Sequence, residues 1–98
     1  MKTLVLFALL AVASAHVQAN QQLATRSNCM TCHQMDKKAL GPSFKEIAAR
    51  YKGQANAQTT LTNSILQGVR GKWGRVPMAA QRVSPADAAT LSRWILTL

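Results

Sequence analysis

The sequence of 98 residues predicts an all-α fold of about four short helices in a single small domain. Three segments of the chain carry apolar residues at the spacing of one helix face. Glycine and proline residues lie at the boundaries of these segments, where they favour the start or the end of a helix. No segment has the alternating pattern that is typical of a half-buried strand.

The first two helices are predicted on either side of a Gly-Pro turn. Residues 20–26 are polar but suit a short helix. The next helix opens with Pro42 in its first position, where the missing N–H costs nothing, and continues over residues 43–51. Gly53 lies just past its end. The apolar face of this helix consists of Phe44, Ile47, Ala48 and Tyr51.

The last two helices have equally clear boundaries. The third is predicted over residues 57–67 and ends at Gly68, a residue type that often terminates helices. The fourth begins after Ser84, which caps it, with Pro85 in the first turn and Asp87 near the positive end of the helix dipole. The apolar residues of these helices are Ala57, Leu61, Ile65, Ala88, Leu91, Trp94, Ile95 and Leu98.

The segment between the third and fourth helices is predicted to be an ordered loop. Residues 69–81 contain two glycines and a proline and show no periodicity. A loop this apolar must pack against something other than water.

The N-terminus has the layout of a secretory signal peptide. Lys2 precedes an apolar run over residues 4–13, and small residues offer cleavage before His16 or before Asn20. The run is short for a membrane-spanning helix, which takes about 20 residues. We therefore predict a cleaved signal peptide over residues 1–19, an exported domain over residues 20–98, and no stable membrane insertion after cleavage.

The most informative motif is Cys29-Met30-Thr31-Cys32-His33. Two cysteines separated by two residues, with a histidine next, form the attachment motif of a c-type haem. Each sulfur adds across one vinyl group of the porphyrin, and the following imidazole then reaches the iron. The sequence thus predicts one covalent haem c bound by Cys29 and Cys32, with His33 as an axial ligand. A porphyrin also supplies the core that so small a chain lacks.

Two other uses of such cysteines fit less well. A thiol–disulfide oxidoreductase would require a βαβ context and would leave His33 without a role. A structural zinc site needs four ligands, and the motif supplies three of them, Cys29, Cys32 and His33.

The second axial ligand is predicted by elimination among the methionines. Met1 lies in the signal peptide, and Met30 and Met35 are too close to His33 to reach the opposite face of the porphyrin. Met78 remains, in the apolar loop, with enough chain before it to wrap around the ring.

His/Met ligation leaves no coordination position for a substrate, and a thioether favours Fe(II). The sequence therefore predicts a one-electron carrier and not an enzyme. The alternative is a haem-based sensor or peroxidatic protein in which the Met78 ligand is labile.

The charge of the chain indicates the type of partner. Twelve Lys and Arg residues face three acids, which gives a formal charge of +9 before the signal peptide leaves. Nucleic acid is disfavoured because no binding motif accompanies the scattered basic residues. We expect redox partners with acidic docking surfaces instead. The basic residues expected to ring an exposed haem edge are Lys37, Lys38, Lys72 and Arg75.

Several motifs together resemble a known family. The CxxCH motif, the Gly-Pro pair, W-G-x-x-P-M and a terminal W-x-L occur in one order, and the chain resembles the small bacterial class I cytochromes c of the cytochrome c-551 (c8) type. The resemblance implies about four helices wrapped around one haem. It also implies a periplasmic shuttle that delivers electrons to a terminal reductase or oxidase. We expect the protein to be a monomer.

The resemblance also assigns roles to two residues of the haem pocket. It implies that the Pro42 carbonyl accepts a hydrogen bond from the His33 ring, and that the Trp73 indole N–H donates to a haem propionate. Four positions depart from the family pattern. Ala79 and Ala80 replace prolines, Gln81 replaces an asparagine near the methionine sulfur, and Ser64 replaces an arginine near a propionate.

Overall fold

The computed structural model describes residues 20–98, so the predicted signal peptide over residues 1–19 lies outside the described residues. Helix α1 occupies residues 20–26 of this range. It is followed by a single 3₁₀ turn, Cys29–Thr31, and by helices α2 (Phe44–Tyr51), α3 (Ala57–Gln67) and α4 (Pro85–Ile95). The predicted all-α class with about four helices is confirmed.

The rest of the described range is irregular. Within residues 20–98, the one β-type pairing is an isolated antiparallel bridge between Val69 and Met78. No helix in the same range is long and apolar enough to cross a membrane. Residues 69–81 form the predicted loop, and this bridge closes its base.

The start of α2 differs from the prediction. The hydroxyl of Ser43 accepts a hydrogen bond from the backbone N–H of Glu46 at 3.1 Å, so Ser43 is the N-cap and α2 begins at Phe44. A capping serine needs extended backbone, and Ser43 has φ −65° and ψ 156°. The prediction that Pro42 is the first residue of this helix is therefore wrong, because Pro42 lies before the N-cap.

The boundaries of α3 and α4 agree with the prediction. Gly68 ends α3 with φ 85° and ψ 172°, a backbone conformation that is essentially restricted to glycine. At the start of α4, the Ser84 hydroxyl accepts from the Asp87 N–H at 3.0 Å, and Pro85 occupies the first turn. Both ends of the 69–81 loop are thus fixed by helix termini.

The hydrophobic core lies between α2, α3 and α4. The edge of the Trp94 ring packs against Phe44, with ring centroids 5.3 Å apart. Leu91, 1% exposed, lies at the centre of the core, and Ala24 of α1 is also completely buried. The core residues are Ala24, Phe44, Ile47, Ala48, Tyr51, Ala57, Leu61, Ile65, Ala88, Leu91, Trp94 and Ile95. The predicted apolar faces are therefore buried, and Leu98 packs against them from beyond the end of α4.

Candidate cofactor site

A pocket of about 380 Å³ opens beside this core and is lined mainly by apolar surface. Six segments after α1 contribute to it: the 3₁₀ turn, the 40–42 turn, the three following helices and the 69–81 loop. Part of the core faces directly into the pocket, through Phe44, Ile47, Leu61, Ile65, Leu91 and Ile95. The pocket is therefore a continuation of the core that the small chain does not fill with its own side chains.

His33 lies on the wall of this pocket, 9% exposed. Its Nδ1 is 2.7 Å from the carbonyl oxygen of Pro42. A carbonyl oxygen only accepts, so Nδ1 carries the proton and Nε2 keeps its lone pair. The Phe44 ring packs 5.3 Å from the imidazole and limits its rotation. The imidazole is thus held in the tautomer and orientation that a metal ligand requires.

Gly41 permits the close approach of the chain to this imidazole. A Cβ at this position would lie 2.7 Å from Cε1 of His33 and 3.0 Å from Nδ1. The Gly41 N–H also donates to the Cys32 carbonyl at 2.9 Å, which ties the turn to the cysteine motif. Sequence reasoning identified Gly41 as part of a turn but missed this contact, which no local pattern indicates.

The two cysteines of the motif line the same pocket as free thiols. The N–H groups of Cys32 and His33 both point to the Cys29 carbonyl, at 3.2 and 3.0 Å, and hold the motif in one turn. Burial raises the pKa of the half-buried Cys29 thiol, and a backbone hydrogen bond offsets part of this effect. An apolar wall penalises a thiolate but accepts a neutral thioether, so the site suits sulfur atoms bonded to carbon.

Met78 reaches the pocket from the loop. Its backbone pairs with Val69 through two hydrogen bonds of 2.9 Å, and the Gln81 N–H donates to the Ile65 carbonyl at 2.8 Å. Gly68 lies against this pair, because a Cβ there would be 2.6 Å from the Met78 carbonyl oxygen. The thioether and the His33 imidazole are thus brought into a single pocket by α3 and by the turn before α2.

The donor set fits a covalently held haem. A large apolar pocket contains two thiols, one imidazole with its lone pair available and one thioether. The family model for cytochrome c matches residues 17–98 of this chain. The chain belongs to the cytochrome c family.

Relatives and solved structures agree with this assignment. Cytochrome c-551 of Pseudomonas denitrificans is 44% identical over 78 residues, which cover 80% of this chain and 95% of that protein. The crystal structure of wild-type cytochrome c552 of Nitrosomonas europaea superposes with a TM-score of 0.77 at 46% identity, covering 80% of this chain and 98% of that one. The class 1 cytochrome MtoD of Sideroxydans lithotrophicus ES-1 has a TM-score of 0.68 at 31% identity, covering 83% and 94%.

Several predictions are confirmed by these similarities. The chain is a class I cytochrome c of the c-551 type, with one covalently attached haem c, and Cys29 and Cys32 fit the attachment motif. It is an electron carrier that exchanges electrons with redox partners, and it is not an enzyme.

Trp73 lines the pocket of this cytochrome and is half-buried. One face of its ring is covered by the Arg50 guanidinium, 4.4 Å from the ring centroid. The predicted indole contact with a propionate stays a prediction. Sequence reasoning missed Arg50, because α2 and the loop are separated by more than a helix in the chain.

Two of the positions that depart from the family pattern have hydrogen bonds within their own segments. The Gln81 side-chain amide donates to the Ala79 carbonyl at 2.7 Å, and the Ser64 hydroxyl donates to the Thr60 carbonyl at 2.9 Å. Ser64 and Gln81 nevertheless both line the pocket.

Two apolar side chains, Leu40 and Val76, also line the pocket but are 62% exposed. The four predicted docking cations are exposed as well: Lys37, Lys38, Lys72 and Arg75. Sequence reasoning identified these cations but missed Leu40 and Val76.

Proposed function

We propose that this cytochrome shuttles single electrons in the periplasm to a terminal reductase or oxidase, using a haem iron with His33 and Met78 as axial ligands. The observation that carries the proposal is the presence of both side chains on one apolar pocket that also contains both cysteines of the motif. No other methionine of the described residues lines this pocket.

The bound haem supplies the one-electron chemistry, by cycling between Fe(III) and Fe(II). His33 contributes a neutral imidazole whose orientation is fixed by the Pro42 carbonyl. A hydrogen bond from Nδ1–H to a carbonyl makes Nε2 a better donor to a metal. Pro42 thus acts on the site through the histidine.

Met78 contributes a soft, neutral thioether, which favours the reduced state. Its backbone is held by the two hydrogen bonds to Val69, which limit movement of the residue at the base of the loop. With His33 and Met78 both bound, no coordination position is left for a substrate. The apolar wall of Ile47, Leu61 and Leu91 excludes water from the same space.

Replacing Met78 tests this assignment. Met78→Ala keeps the covalent haem, lowers the reduction potential and opens the iron to carbon monoxide, because a thioether that favours Fe(II) is lost. Met35→Ala is the matched control, since Met35 packs against the core but does not line the pocket. An unchanged potential in Met78→Ala, with the control also unchanged, contradicts Met78 ligation.

Carbon monoxide binding by the unmodified protein separates the carrier from the alternative. A sensor or peroxidatic protein with a labile Met78 binds carbon monoxide tightly without any substitution. A carrier with both axial positions filled does not. Tight binding by the reduced wild-type protein would reject the pure-carrier function.

The proposed docking face combines Leu40 and Val76 with the basic residues Lys37, Lys38, Lys72 and Arg75. The two apolar side chains line the pocket and are exposed, so a partner that contacts them would lie next to the haem pocket. Surrounding cations favour a partner with an acidic surface and speed its approach. We further propose that the cytochrome acts as a monomer.

Export to the periplasm rests on the signal peptide predicted over residues 1–19. Sequencing the N-terminus of the haem-loaded protein tests it directly. The expected first residue is Asn20, and a mature chain that still begins at Met1 would contradict cleavage.

A further inference from the structure

The outer part of the loop has few attachments to the rest of the protein. We call residues 70–77 the tip segment. Every residue of it except Trp73 is exposed. The base is closed by the Val69–Met78 bridge, but no backbone–backbone hydrogen bond is formed by residues 70–77 within the described chain. Backbone hydrogen bonds within the described residues therefore do not hold the tip in place.

One side chain outside the loop makes two directional contacts with this tip. The Nη1 of Arg50 donates a hydrogen bond to the Lys72 carbonyl at 2.8 Å. The same guanidinium lies 4.4 Å from the centroid of the Trp73 ring. The hydrogen bond to Lys72 is the only one that connects the tip to a helix among the described residues.

Arg50 is held in position by contacts with other residues of α2 and of the turn after it. It lies in the last turn of α2, where the neighbouring Tyr51 is buried in the core. Its guanidinium is also 5.9 Å from the Tyr51 ring centroid, so it lies between the two aromatic rings. The Gln54 side chain donates to the Arg50 carbonyl at 2.7 Å and stabilises the end of the helix.

We infer that Arg50 is a positioning residue that clamps the tip segment against α2 and so keeps Trp73 closed over the haem pocket. The importance of the clamp for electron transfer rests on the proposed function, because the tip carries Lys72, Arg75 and Val76 of the docking face. The clamp itself depends only on contacts between Arg50 and the tip.

The geometry requires arginine and not merely a positive charge. A planar guanidinium stacks on an aromatic face while it donates a hydrogen bond in its own plane. A lysine ammonium is a compact point charge and does not present this flat surface. Arg50→Lys therefore keeps the charge but loses the combined contact, and Arg50→Met removes both.

The tip segment contains trypsin cleavage sites, and cleavage at them measures how often the segment moves away from α2. Trypsin cleaves after arginine and lysine, so Arg70, Lys72 and Arg75 are cleavage sites in the tip. Under the proposed clamp, cleavage there is slow because the segment must leave its clamped conformation to enter the protease. We expect cleavage at these bonds to be on the order of tenfold faster in both Arg50→Lys and Arg50→Met holoprotein, from the loss of one stacking contact and one hydrogen bond. Mass spectrometry of the fragments separates these cuts from cleavage elsewhere.

Arg93→Met is the matched control. Arg93 is also an exposed arginine in the last turn of a helix, and within the described part of the chain its guanidinium donates only to Thr90 on α4. This variant loses the same charge but leaves the tip unchanged, so its cleavage rate should equal that of the wild type. The urea midpoint of each variant shows whether cleavage reports tip opening or global unfolding.

A double-mutant cycle with Trp73→Leu identifies the partner of Arg50. In the Trp73→Leu background, Arg50→Met should accelerate tip cleavage by a smaller factor than in the wild type. The reduction potential is the second readout. We expect it to fall in both Arg50→Met and Arg50→Lys, because opening the tip admits water and water stabilises Fe(III) more than Fe(II).

Three outcomes would overturn the clamp. The tip could be cleaved at the same rate in Arg50→Met and Arg93→Met, or Arg50→Lys could have the cleavage rate and reduction potential of the wild type. The third outcome is that Arg50→Met accelerates cleavage by the same factor with and without Trp73→Leu. None of them bears on the axial ligand, which the Met78→Ala potential tests separately. Failure of the clamp and failure of the proposed function are thus distinguishable.

Discussion

Gly68 at the end of α3 gives the sharpest test of how the backbone positions Met78. Its φ of 85° and ψ of 172° lie in a region that other residues occupy only at a cost of roughly 1–3 kcal/mol. A Cβ there would also lie 2.6 Å from the Met78 carbonyl oxygen and 3.0 Å from the Ala80 nitrogen, against 3.4 Å or more for an ordinary contact. Gly68→Ala must therefore displace the Met78 backbone.

That displacement acts on the base of the loop. The Met78 carbonyl would have to move by several tenths of an ångström, and it accepts one of the two 2.9 Å hydrogen bonds shared with Val69. Each bond contributes about 0.5–1.5 kcal/mol. Adding the backbone strain of roughly 1–3 kcal/mol, we expect Gly68→Ala to lower the free energy of unfolding by about 1.5–4.5 kcal/mol.

Gly53→Ala is the control for strain alone. Gly53 has nearly the same φ, 86°, but no atom of residues 20–98 outside its immediate chain neighbours lies within 4 Å of the place where its Cβ would be. Gly53→Ala should lower the free energy of unfolding by only about 1–2 kcal/mol. Urea unfolding of both holoproteins gives the two free energies, and the visible band of sulfur-to-iron(III) charge transfer reports the proposed bond between the Met78 sulfur and the iron. We expect this band to weaken in Gly68→Ala alone.

Equal losses of stability in the two variants, with the charge-transfer band intact in both, would refute the reasoning. They would mean that the loop adapts to the methyl group without cost. The position of Met78 would then not depend on its contact with Gly68.

Two further predictions concern the other walls of the pocket. Gly41→Ala forces the His33 ring away from a Cβ only 2.7 Å from Cε1, so we expect a lower yield of haem-loaded protein and a shifted potential; normal values of both would contradict it. Val76→Asp places a negative charge in the exposed apolar part of the proposed docking face. The rate of electron transfer to an acidic partner should fall severalfold at low salt, and the difference from wild type should shrink at high salt, because ions screen surface charges. A rate that is insensitive to both charge and salt would instead indicate an apolar contact elsewhere.

Local features of the sequence were enough to predict the helices. Gly68 at the end of α3 and the Ser84-Pro85 start of α4 are short-range signals, and the structure places both boundaries as predicted. The predicted position of Pro42 in the helix is wrong because proline and serine both favour helix starts. The choice between them depended on the hydroxyl of Ser43, which captured the Glu46 N–H.

The contacts that shape the site could not be predicted in the same way. Arg50 and the Lys72 carbonyl are 22 residues apart, and an exposed arginine in an amphipathic helix normally faces water. Gly41 is similar, since a Gly-Pro pair indicates a turn but not which ring the turn touches. Such contacts depend on how helices and loops pack, and the periodicity of a single sequence does not encode that arrangement.

The residue at which α2 starts affects the hydrogen bond between the Pro42 carbonyl and the imidazole that is proposed to bind the iron. If the helix began one residue earlier, the Pro42 carbonyl would accept the N–H of Glu46 as part of the helical ladder. The Ser43 hydroxyl takes that N–H instead, at 3.1 Å, and leaves the carbonyl to the imidazole at 2.7 Å. In the proposed ligation, a buried hydroxyl would thereby act on the electron-donating strength of His33 through the Pro42 carbonyl, and evolution could tune the redox midpoint by changing a helix cap instead of a ligand.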